Sequence, residues 1–294
     1  MAILTVFTPT FNRAYILHNC YESLKRQTNK EFIWLIIDDG SKDHTEELVN
    51  SWIEENVISI RYFKQENQGM HGAHNTAYRL IDTELNVCID SDDYMPDDAV
   101  EKIVSFWKRH GSEDFGGIIG LDYHPNGEVI GTEFPKEIKR STLFNLYHKH
   151  GVKGDKKLVY RTYFTMKYPY PIYRNEKLVP LSYKYFMLDQ KCEMLLMNEP
   201  LCIVEYLPDG SSMNILKQYK NSPRGFRFYR IAMMKLPNTP LSFKFKHAIH
   251  YVSCSLFIGS RSILRETPEK ILTLLALPMG VLLNKYIRYK VQER

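Results

Sequence analysis

Short apolar runs alternate with segments of helical spacing over the first hundred residues. The apolar runs cover residues 2–8, 32–38, 57–63 and 85–90. Runs of this length without polar interruption are typical of strands buried on both faces. Between and after them, apolar residues recur every three or four positions, which predicts helices over residues 14–28, 43–55, 70–81 and 97–110. This alternation predicts an α/β fold with a mostly parallel, doubly wound sheet flanked by helices.

The pattern becomes less regular in the second half of the chain. Asn126 and Gly127 lie between two apolar segments and predict a hairpin turn. Residues 207–225 are rich in Gly, Pro, Ser and Asn, which predicts a loop at a domain boundary. The remaining predicted elements are a helix over 141–150, a strand over 156–164, a helix over 182–197 and a strand over 201–206.

Charge divides the chain at about residue 210. Residues 211–294 contain 15 Lys and Arg against 3 Asp and Glu, a net charge of +12. Residues 1–210 contain 24 Lys and Arg against 31 Asp and Glu, a net charge of −7. We therefore expect an acidic α/β domain over residues 1–210 and a basic, amphipathic helical region over residues 211–294.

Cations and aromatic residues are interleaved in this basic region, which indicates an anionic partner. Nucleic acid is disfavoured because no recognised nucleic-acid motif accompanies them. An anionic membrane surface is favoured, with apolar helix faces among the lipid headgroups; a helical cap packed on the domain is the alternative. The apolar segment 271–283 is interrupted by Pro278 and Gly280 and is shorter than the about 20 residues that a bilayer span needs.

Two features of the sequence indicate a reducing compartment. The first apolar run has no basic residues before it, so we interpret it as a strand and not as a signal peptide. The five cysteines form no CxxC pair, which favours free thiols. We therefore predict a cytoplasmic protein that associates peripherally with the inner face of the cell membrane.

Five aspartates lie within nine positions that begin at residue 90, the last residue of a predicted strand. Asp97 and Asp98 follow Pro96 and suit the start of a helix. Asp90, Asp92 and Asp93 lie at the strand end, where a D-x-D spacing places two carboxylates on one side of an extended segment. Hard cations such as Mg²⁺ or Mn²⁺ take oxygen ligands and bridge to substrate phosphates. The aspartates therefore predict a metal–diphosphate site.

Two other polar loops follow buried strands in the same way. Each of the loops 8–13 and 38–41 is explained on its own by an ordinary turn. In a parallel sheet, however, both loops and the segment 90–93 lie beyond the carboxyl ends of the strands, where such folds bind ligands. The three segments together predict one site.

The motifs TPTFN, IIDDGS, QGMHGAHN and DSDD, in this order, resemble the N-terminal half of family 2 glycosyltransferases of the GT-A fold. The resemblance covers about the first 100 residues and extends more weakly to about residue 206. It implies a nucleotide-diphospho-sugar donor, a divalent metal, and displacement with inversion at the anomeric carbon. It also implies a nucleotide-sugar half over about residues 1–120 and an acceptor half over about residues 121–210.

The resemblance assigns roles to individual residues of these motifs. It places a nucleoside pocket at the first loop and a contact with the base edge at Asp39. It also places a ribose contact at Asp90 and the metal at Asp92, and Asp93 supports the ribose contact or the metal. His71 and His74 stand where the family often has a basic residue, and are either donor contacts or part of a surface loop. The residues implied in nucleotide-sugar binding are Thr8, Pro9, Phe11, Arg13, Asp39, Gly69, Asn75 (at the start of a helix), Asp90 and Ser91.

An acceptor hydroxyl must lose a proton when it attacks the anomeric carbon, which requires a general base. The family places an aspartate at the start of a late helix, commonly in an acidic pair. Asp189 occupies this position, between Leu188 and Gln190 in place of a second acid. Glu193, one turn further along the predicted helix, is the alternative, and an exposed structural role for Asp189 also stays open.

We therefore predict a metal-dependent inverting glycosyltransferase that uses Mg²⁺ or Mn²⁺ and favours a UDP-sugar donor. The expected acceptor is a polysaccharide or a polyprenyl-linked glycan at the cytoplasmic membrane face; the oligomeric state stays open. A phosphohydrolase is disfavoured because Tyr94 stands where its motif has Thr or Val. A nicotinamide enzyme is disfavoured because no G-x-G-x-x-G follows the first strand. A non-catalytic GT-A-like subunit that recruits a partner to membranes stays open.

Overall fold

The computed structural model describes residues 2–205 and 215–292. The chain divides into two compact units. The first unit comprises Met1–Pro169 and Leu188–Leu207, and the second comprises Tyr170–Met187 and Pro208–Arg294. The division differs from the predicted boundary at residue 210 mainly in the segment 170–187, which groups with the C-terminal helices.

The described part of the first unit contains an eight-stranded sheet in the order β3-β2-β1-β4-β7-β5-β8-β6. The β1–β2, β1–β4, β2–β3 and β5–β8 pairs are parallel, whereas β7 pairs antiparallel with both β4 and β5. The strands are β1 Leu4–Thr10, β2 Phe32–Asp38, β3 Ile60–Lys64, β4 Leu85–Cys88, β5 Phe115–Tyr123, β6 Arg140–Ser141, β7 Lys156–Arg161 and β8 Glu193–Ile203. The predicted parallel α/β arrangement is thus confirmed for the first four strands, and the later strands make the sheet mixed.

Helices cover this sheet through apolar and aromatic side chains. Trp34 of β2 is fully buried and stacks on Tyr21 and Trp52, with ring centroids 5.9 and 5.8 Å away. Burial of large rings contributes strongly to such cores, about 1.5–3 kcal/mol for a fully buried large side chain. The helices of this unit are α1 Leu17–Lys25, α2 Thr45–Glu55, α3 Met70–Leu80, α4 Ala99–His110, α5 Leu143–His148 and α6 Thr162–Thr165.

The predicted helix over residues 182–197 is wrong in its second half. Helix α7 covers only Ser182–Leu188, and β8 begins at Glu193. Leu195 and Leu196 are buried in β8, which pairs with β5 and β6. The same strand includes the first residues of the strand predicted over 201–206. A short apolar run suits a buried strand and a buried helix equally, so its periodicity could not decide between them.

The predicted hairpin forms only as a turn. Gly127 has a positive φ of 84°, and the amide of His124 donates to the carbonyl of Glu128 at 2.8 Å. An isolated bridge joins Tyr123 to Val129 without a second strand. The apolar residues after the turn therefore do not extend the sheet at this point.

The regular elements of the second unit, in its described residues, are helices. Glu176 accepts hydrogen bonds from the amides of Arg224 and Gly225 at 3.1 and 2.9 Å, which joins the segment 170–187 to the C-terminal helices. A carboxylate at a helix start compensates unpaired amides there. The further helices are α8 Ile215–Asn221, α9 Pro223–Met234, α10 Leu241–Ile258, α11 Ile263–Glu266 and α12 Lys270–Gln292. Part of the loop predicted over residues 207–225 lies outside the described residues, and the rest is mostly helical.

Helix α12 is longer than the apolar segment that predicts it. It runs for 23 residues and continues through Pro278 and Gly280. Gly280 lies against Val252 of α10, where a Cβ atom would come within 2.5 Å of that side chain, and Asn284 donates to the carbonyl of Ser253 at 3.0 Å. Within the described residues, Lys270–Val291 is long and apolar enough to cross a membrane, judged by length and composition alone. The expectation that this segment is too short for a span is therefore wrong.

Candidate active site

Three loops meet at the carboxyl edge of the parallel strands. Strand β1 lies between β2 and β4, with Thr10 opposite Asp38 and Phe7 opposite Cys88. The residues that follow these strands consequently lie side by side. The predicted convergence of the segments 8–13, 38–41 and 90–93 at one edge is present in the fold.

The first loop presents fewer side chains than predicted. Thr8 is fully buried, and its hydroxyl accepts a hydrogen bond from the Trp34 indole at 3.0 Å. Its side chain therefore faces the core and does not line a pocket. Pro9 is also buried, whereas 45% of Phe11 is exposed. Arg13 hydrogen bonds to the Tyr15 hydroxyl and lies over that ring.

Hydrogen bonds join the first loop to the second. The Asn12 amide donates to the Ser41 hydroxyl at 2.8 Å, and the Lys42 amide donates to the Asn12 side chain at 2.8 Å. Asn12 has a φ of 53°, a conformation that asparagine tolerates better than most residues. This reciprocal contact fixes both loops and has no signal in the sequence beyond Asn12 as a turn residue.

Asp39 fixes the segment that precedes α3. Its carboxylate is 3% exposed and accepts hydrogen bonds from the Gln65 side chain at 2.7 Å, the Gln68 amide at 2.9 Å and the Gly69 amide at 2.7 Å. Gly69 has a φ of 84°, which favours glycine at this close approach. Asp39 thus holds the third motif against the second loop, and contact with a base edge stays a prediction.

Helix α3 begins where the apolar spacing predicts and not at Asn75, where the resemblance places its start. It starts at Met70, so Asn75 lies in its second turn and not at its start. His71 and His74 are helical and 1% exposed, which makes the surface-loop interpretation wrong. His74 packs edge-on against Phe7 with ring centroids 5.1 Å apart, because this helix is buried against β1.

The aspartates after β4 separate into exposed and buried carboxylates. The Asp93 amide donates to the Asp90 carbonyl at 3.0 Å, which closes a turn in which Asp90 and Asp92 are partly exposed and Ser91 and Asp93 are buried. The Asp93 carboxylate faces inward and accepts from the Cys202 thiol at 3.7 Å. Burial raises the pKa of Asp93 to about 8, with further contributions from nearby carboxylates and opposition from Lys157. Asp92 is consequently better placed than Asp93 for a metal ligand.

Asp97 and Asp98 lie apart from this turn. Both are exposed and precede α4, where Asp97 pairs with Arg26 at 3.1 Å and Asp98 pairs with Lys102 at 3.0 Å. This position agrees with the predicted role at a helix start.

Sequence reasoning missed two charged residues beside the aspartate turn. Lys157 of β7 lies 3.7 Å from the Asp122 carboxylate of β5, and both side chains are largely buried. Burial raises the pKa of Asp122, and Lys157 opposes this shift. The carboxylates of Asp122, Asp93 and Asp90 hold the pKa of Lys157 well above its usual range despite its burial. The antiparallel insertion of β7 brings these residues together, and no local pattern predicts that insertion.

The carboxylates suit a divalent cation held partly by the donor. In the parts of the chain that the structure describes, no group of three or more His, Cys, Asp and Glu residues forms a complete metal site. Mg²⁺ commonly takes one or two carboxylates and completes its shell with substrate phosphates and water. Asp92 in its partly exposed turn, with further carboxylates close by, fits that pattern.

Asp189 lies in the turn after α7, at the start of α5. Its carboxylate accepts from the Phe144 amide at 2.7 Å and the Leu143 amide at 3.1 Å. Burial raises the pKa of Asp189 to about 6, although these two hydrogen bonds lower it. Glu193 begins β8 and pairs with Arg140 at 3.2 Å, so it is not one helical turn beyond Asp189. The alternative base position is therefore wrong in its geometry.

Comparisons with known proteins agree with this architecture. Residues 5–168 match the family model described as glycosyl transferase family 2. The chain is 33% identical to an Escherichia coli chondroitin synthase over 107 residues, which are 36% of this chain and 16% of that protein. The first four curated relatives are matched over only 14% to 42% of their lengths.

Two solved structures share the fold over nearly the whole chain. S. aureus TarS 1–349 in complex with UDP-GlcNAc superposes with a TM-score of 0.63 at 18% identity, covering 95% of this chain and 80% of that one. The mannosyltransferase PcManGT from Pyrobaculum calidifontis, in complex with GDP-Man and Mn²⁺, has a TM-score of 0.55 at 15% identity and covers 99% and 83%. At these identities the likeness establishes the GT-A fold.

Proposed function

Because the chain belongs to glycosyl transferase family 2, we propose that it transfers a sugar from a nucleotide-diphospho-sugar to a hydroxyl group of a glycan acceptor, with inversion at the anomeric carbon. One observation carries the proposal. Three loops meet at the carboxyl edge of β1, β2 and β4, with Asp39 fixing the segment before α3 and Asp92 partly exposed beside them. This is the edge at which open α/β sheets bind nucleotides.

We favour a UDP-sugar as donor. The related fold of TarS was solved with UDP-GlcNAc, which supports this choice. Exposed Phe11 offers a face on which a base can stack, and three hydrogen bonds fix the orientation of the Asp39 carboxylate, to which the resemblance assigns the contact with the base edge. Both residues follow adjacent parallel strands, so one base can reach both.

Asp92 is proposed to hold a Mg²⁺ or Mn²⁺ ion together with the donor. When bound, this ion would supply positive charge to the diphosphate that leaves. The PcManGT complex contains Mn²⁺, which supports the assignment. Asp90 and Ser91 would then contact the ribose side of the donor, while buried Asp93 would keep the turn in shape.

Asp189 is proposed as the general base. The acceptor oxygen forms a bond to the anomeric carbon as the bond from that carbon to the diphosphate oxygen breaks, and the hydroxyl proton moves to the Asp189 carboxylate. A carboxyl group with a pKa of about 6 is ionised at neutral pH and is a stronger base than an ordinary aspartate. The amides of Leu143 and Phe144 fix its orientation without blocking both oxygens completely.

We propose further that the second unit holds the enzyme against the cytoplasmic face of a membrane, where the acceptor is a polysaccharide or a polyprenyl-linked glycan. Several apolar side chains of α12 are at least half exposed: Ile271, Leu274, Leu275, Met279 and Leu282. Residues 211–294 carry a net charge of +12, which attracts anionic lipid. Only 28% of the apolar stretch Lys270–Val291 is buried, in part by packing against α10. Helix α10 packs against α12 and carries Lys244 and Lys246, whose charges are unfavourable inside a bilayer. We therefore favour an α12 that lies on the membrane over one that crosses it.

The proposal is tested by the binding of nucleotide-sugars with and without Mn²⁺. A ligand that binds the folded state raises the unfolding temperature, by an amount set by its concentration relative to Kd. We expect a UDP-sugar to raise it further when Mn²⁺ is present, and we expect Asp92→Asn to lose this metal-dependent part of the shift together with sugar transfer. Asp97→Asn, an exposed aspartate five residues away, is the matched control.

Two outcomes would contradict the proposal. Full transfer by Asp92→Asn would remove the metal role of this residue. A wild-type protein that neither binds nor turns over any nucleotide-sugar would favour the alternative, a non-catalytic GT-A-like subunit that recruits a partner to the membrane.

A further inference from the structure

We propose that Lys157 is a positioning residue of the donor site, whose ammonium group is the internal counter-ion of the aspartate turn. This inference rests on the proposed function, because it concerns how the same site accepts an anionic donor. The geometry assigns Lys157 two tasks: it fixes the end of β4, and it offsets the charge of carboxylates that would otherwise repel a diphosphate.

The sheet topology brings Lys157 to this place. Strand β7 lies between β4 and β5 and runs antiparallel to both, so its first residues lie beside the carboxyl ends of those strands. Lys157 pairs with Gly120 of β5. Its side chain is 12% exposed, so the ammonium group lies inside the edge of the sheet and not in open solvent.

The contacts of Lys157 reach both sides of the site. Its Nζ atom donates to the carbonyl of Cys88 at 3.5 Å, at the last residue of β4 and two residues before Asp90. The same atom lies 3.7 Å from Oδ1 of Asp122, an atom without a hydrogen-bond partner in the described residues. Asp122 is 3% exposed, so this ion pair is what compensates that oxygen.

The charge of Lys157 has opposite consequences for the two ligands of the site. Positive charge at this position attracts a nucleoside diphosphate and repels a divalent cation, and both interactions are weakly screened because the group is buried. Removal of the charge should therefore weaken binding of the anion while leaving binding of the cation equal or stronger. Damage to the fold would instead weaken both.

The test uses the full chain and measures binding of UDP alone, with a chelator present, and of Mn²⁺ alone. Lys157→Met keeps the length of the side chain and removes its charge. We expect UDP affinity to fall on the order of tenfold while Mn²⁺ affinity does not fall. Lys156→Met is the matched control, because Lys156 directly precedes Lys157 in β7, is 7% exposed and donates to the carbonyls of Ile130 and Lys153 instead. We expect it to change stability without separating the two affinities.

The single variant Lys157→Met leaves the Asp122 carboxylate buried without its cation and can therefore unfold. A second variant keeps the test decisive in that case. Lys157→Met combined with Asp122→Asn removes both charges of the pair, and we expect it to recover thermal stability. Because Asp122→Asn also removes a negative charge, we expect the double variant to bind UDP more weakly than the wild type but more tightly than Lys157→Met. This order applies wherever both variants fold. Unchanged UDP affinity in both variants, or an equal loss of UDP and Mn²⁺ affinity, would overturn the inference. A wild type that binds UDP only with Mn²⁺ present would also overturn the inference, whereas a wild type that binds UDP under neither condition would refute the proposed function.

Discussion

Substitution of Asp189 by asparagine separates catalysis from stability. Burial raises the pKa of this carboxyl group from 3.8 to about 6, so its ionised form is less stable in the folded than in the unfolded chain. A shift of this size corresponds to about 3 kcal/mol of destabilisation above pH 6. Asparagine removes that charge and also loses part of the hydrogen bonding to the Leu143 and Phe144 amides, which costs about 1–2 kcal/mol.

The expected net result is a variant that is more stable by about 1 kcal/mol at pH 8 and has lost the base. Transfer should fall by about 10²–10⁴-fold with donor binding retained. In the wild type, the destabilisation by Asp189 grows as pH rises from about 4 to 6 and is constant above, because the folded-state pKa is the higher one. The stability gain of Asp189→Asn should therefore shrink as pH falls from 6 to 4.

Chemical denaturation across this pH range and a transfer assay with a UDP-sugar measure both quantities. The wild-type kcat/KM should also fall about tenfold per pH unit below pH 6 as the base becomes protonated. Turnover that is unchanged in Asp189→Asn would assign the base to another residue. A variant that is less stable than the wild type at pH 8 would refute the argument that burial penalises this charge.

Two further predictions concern the donor loop and the membrane face. Asp39→Ala removes the acceptor for the Gly69 amide and should weaken UDP binding by at least tenfold in calorimetry, while unchanged affinity would exclude a role for this contact. Leu275→Ser with Leu282→Ser should release the protein from anionic vesicles in a flotation assay, whereas Leu241→Ser, at an equally exposed residue of α10, should not; persistent binding of the first variant would contradict the interfacial role of α12.

The local spacing of apolar residues was sufficient to predict the strands and helices in the first half of the fold. Strand β2 covers the predicted residues 32–38, and the helix predicted over 70–81 ends one residue early. The family predicted from the motifs, glycosyl transferase family 2, is confirmed by the match over residues 5–168. These elements are regular because each one carries its own turn and burial signal.

The wrong predictions concern residues whose structure is determined by strand pairing with distant parts of the chain, or by the direction in which a buried strand points its side chains. Leu195 and Leu196 are in a strand because β5 and β6 flank them, and no spacing along the chain records that. Thr8 faces the core, where its hydroxyl accepts a hydrogen bond from Trp34, and a strand buried on both faces has no polar–apolar alternation that would predict this orientation. The roles of the predicted site residues in binding and catalysis stay predictions.

The aspartate turn illustrates how the missing information changes a functional interpretation. From the sequence, Asp90, Asp92 and Asp93 form an acidic group whose charge is balanced either by solvent or by a bound cation. In the fold, Asp93 faces inward and Lys157 of a distant strand lies against the end of β4. Part of the charge of the turn is thus compensated before any ligand binds, which supports the proposal that partly exposed Asp92 holds the metal. From the proposed counter-ion role of Lys157, we expect a site that can accept the diphosphate before its cation.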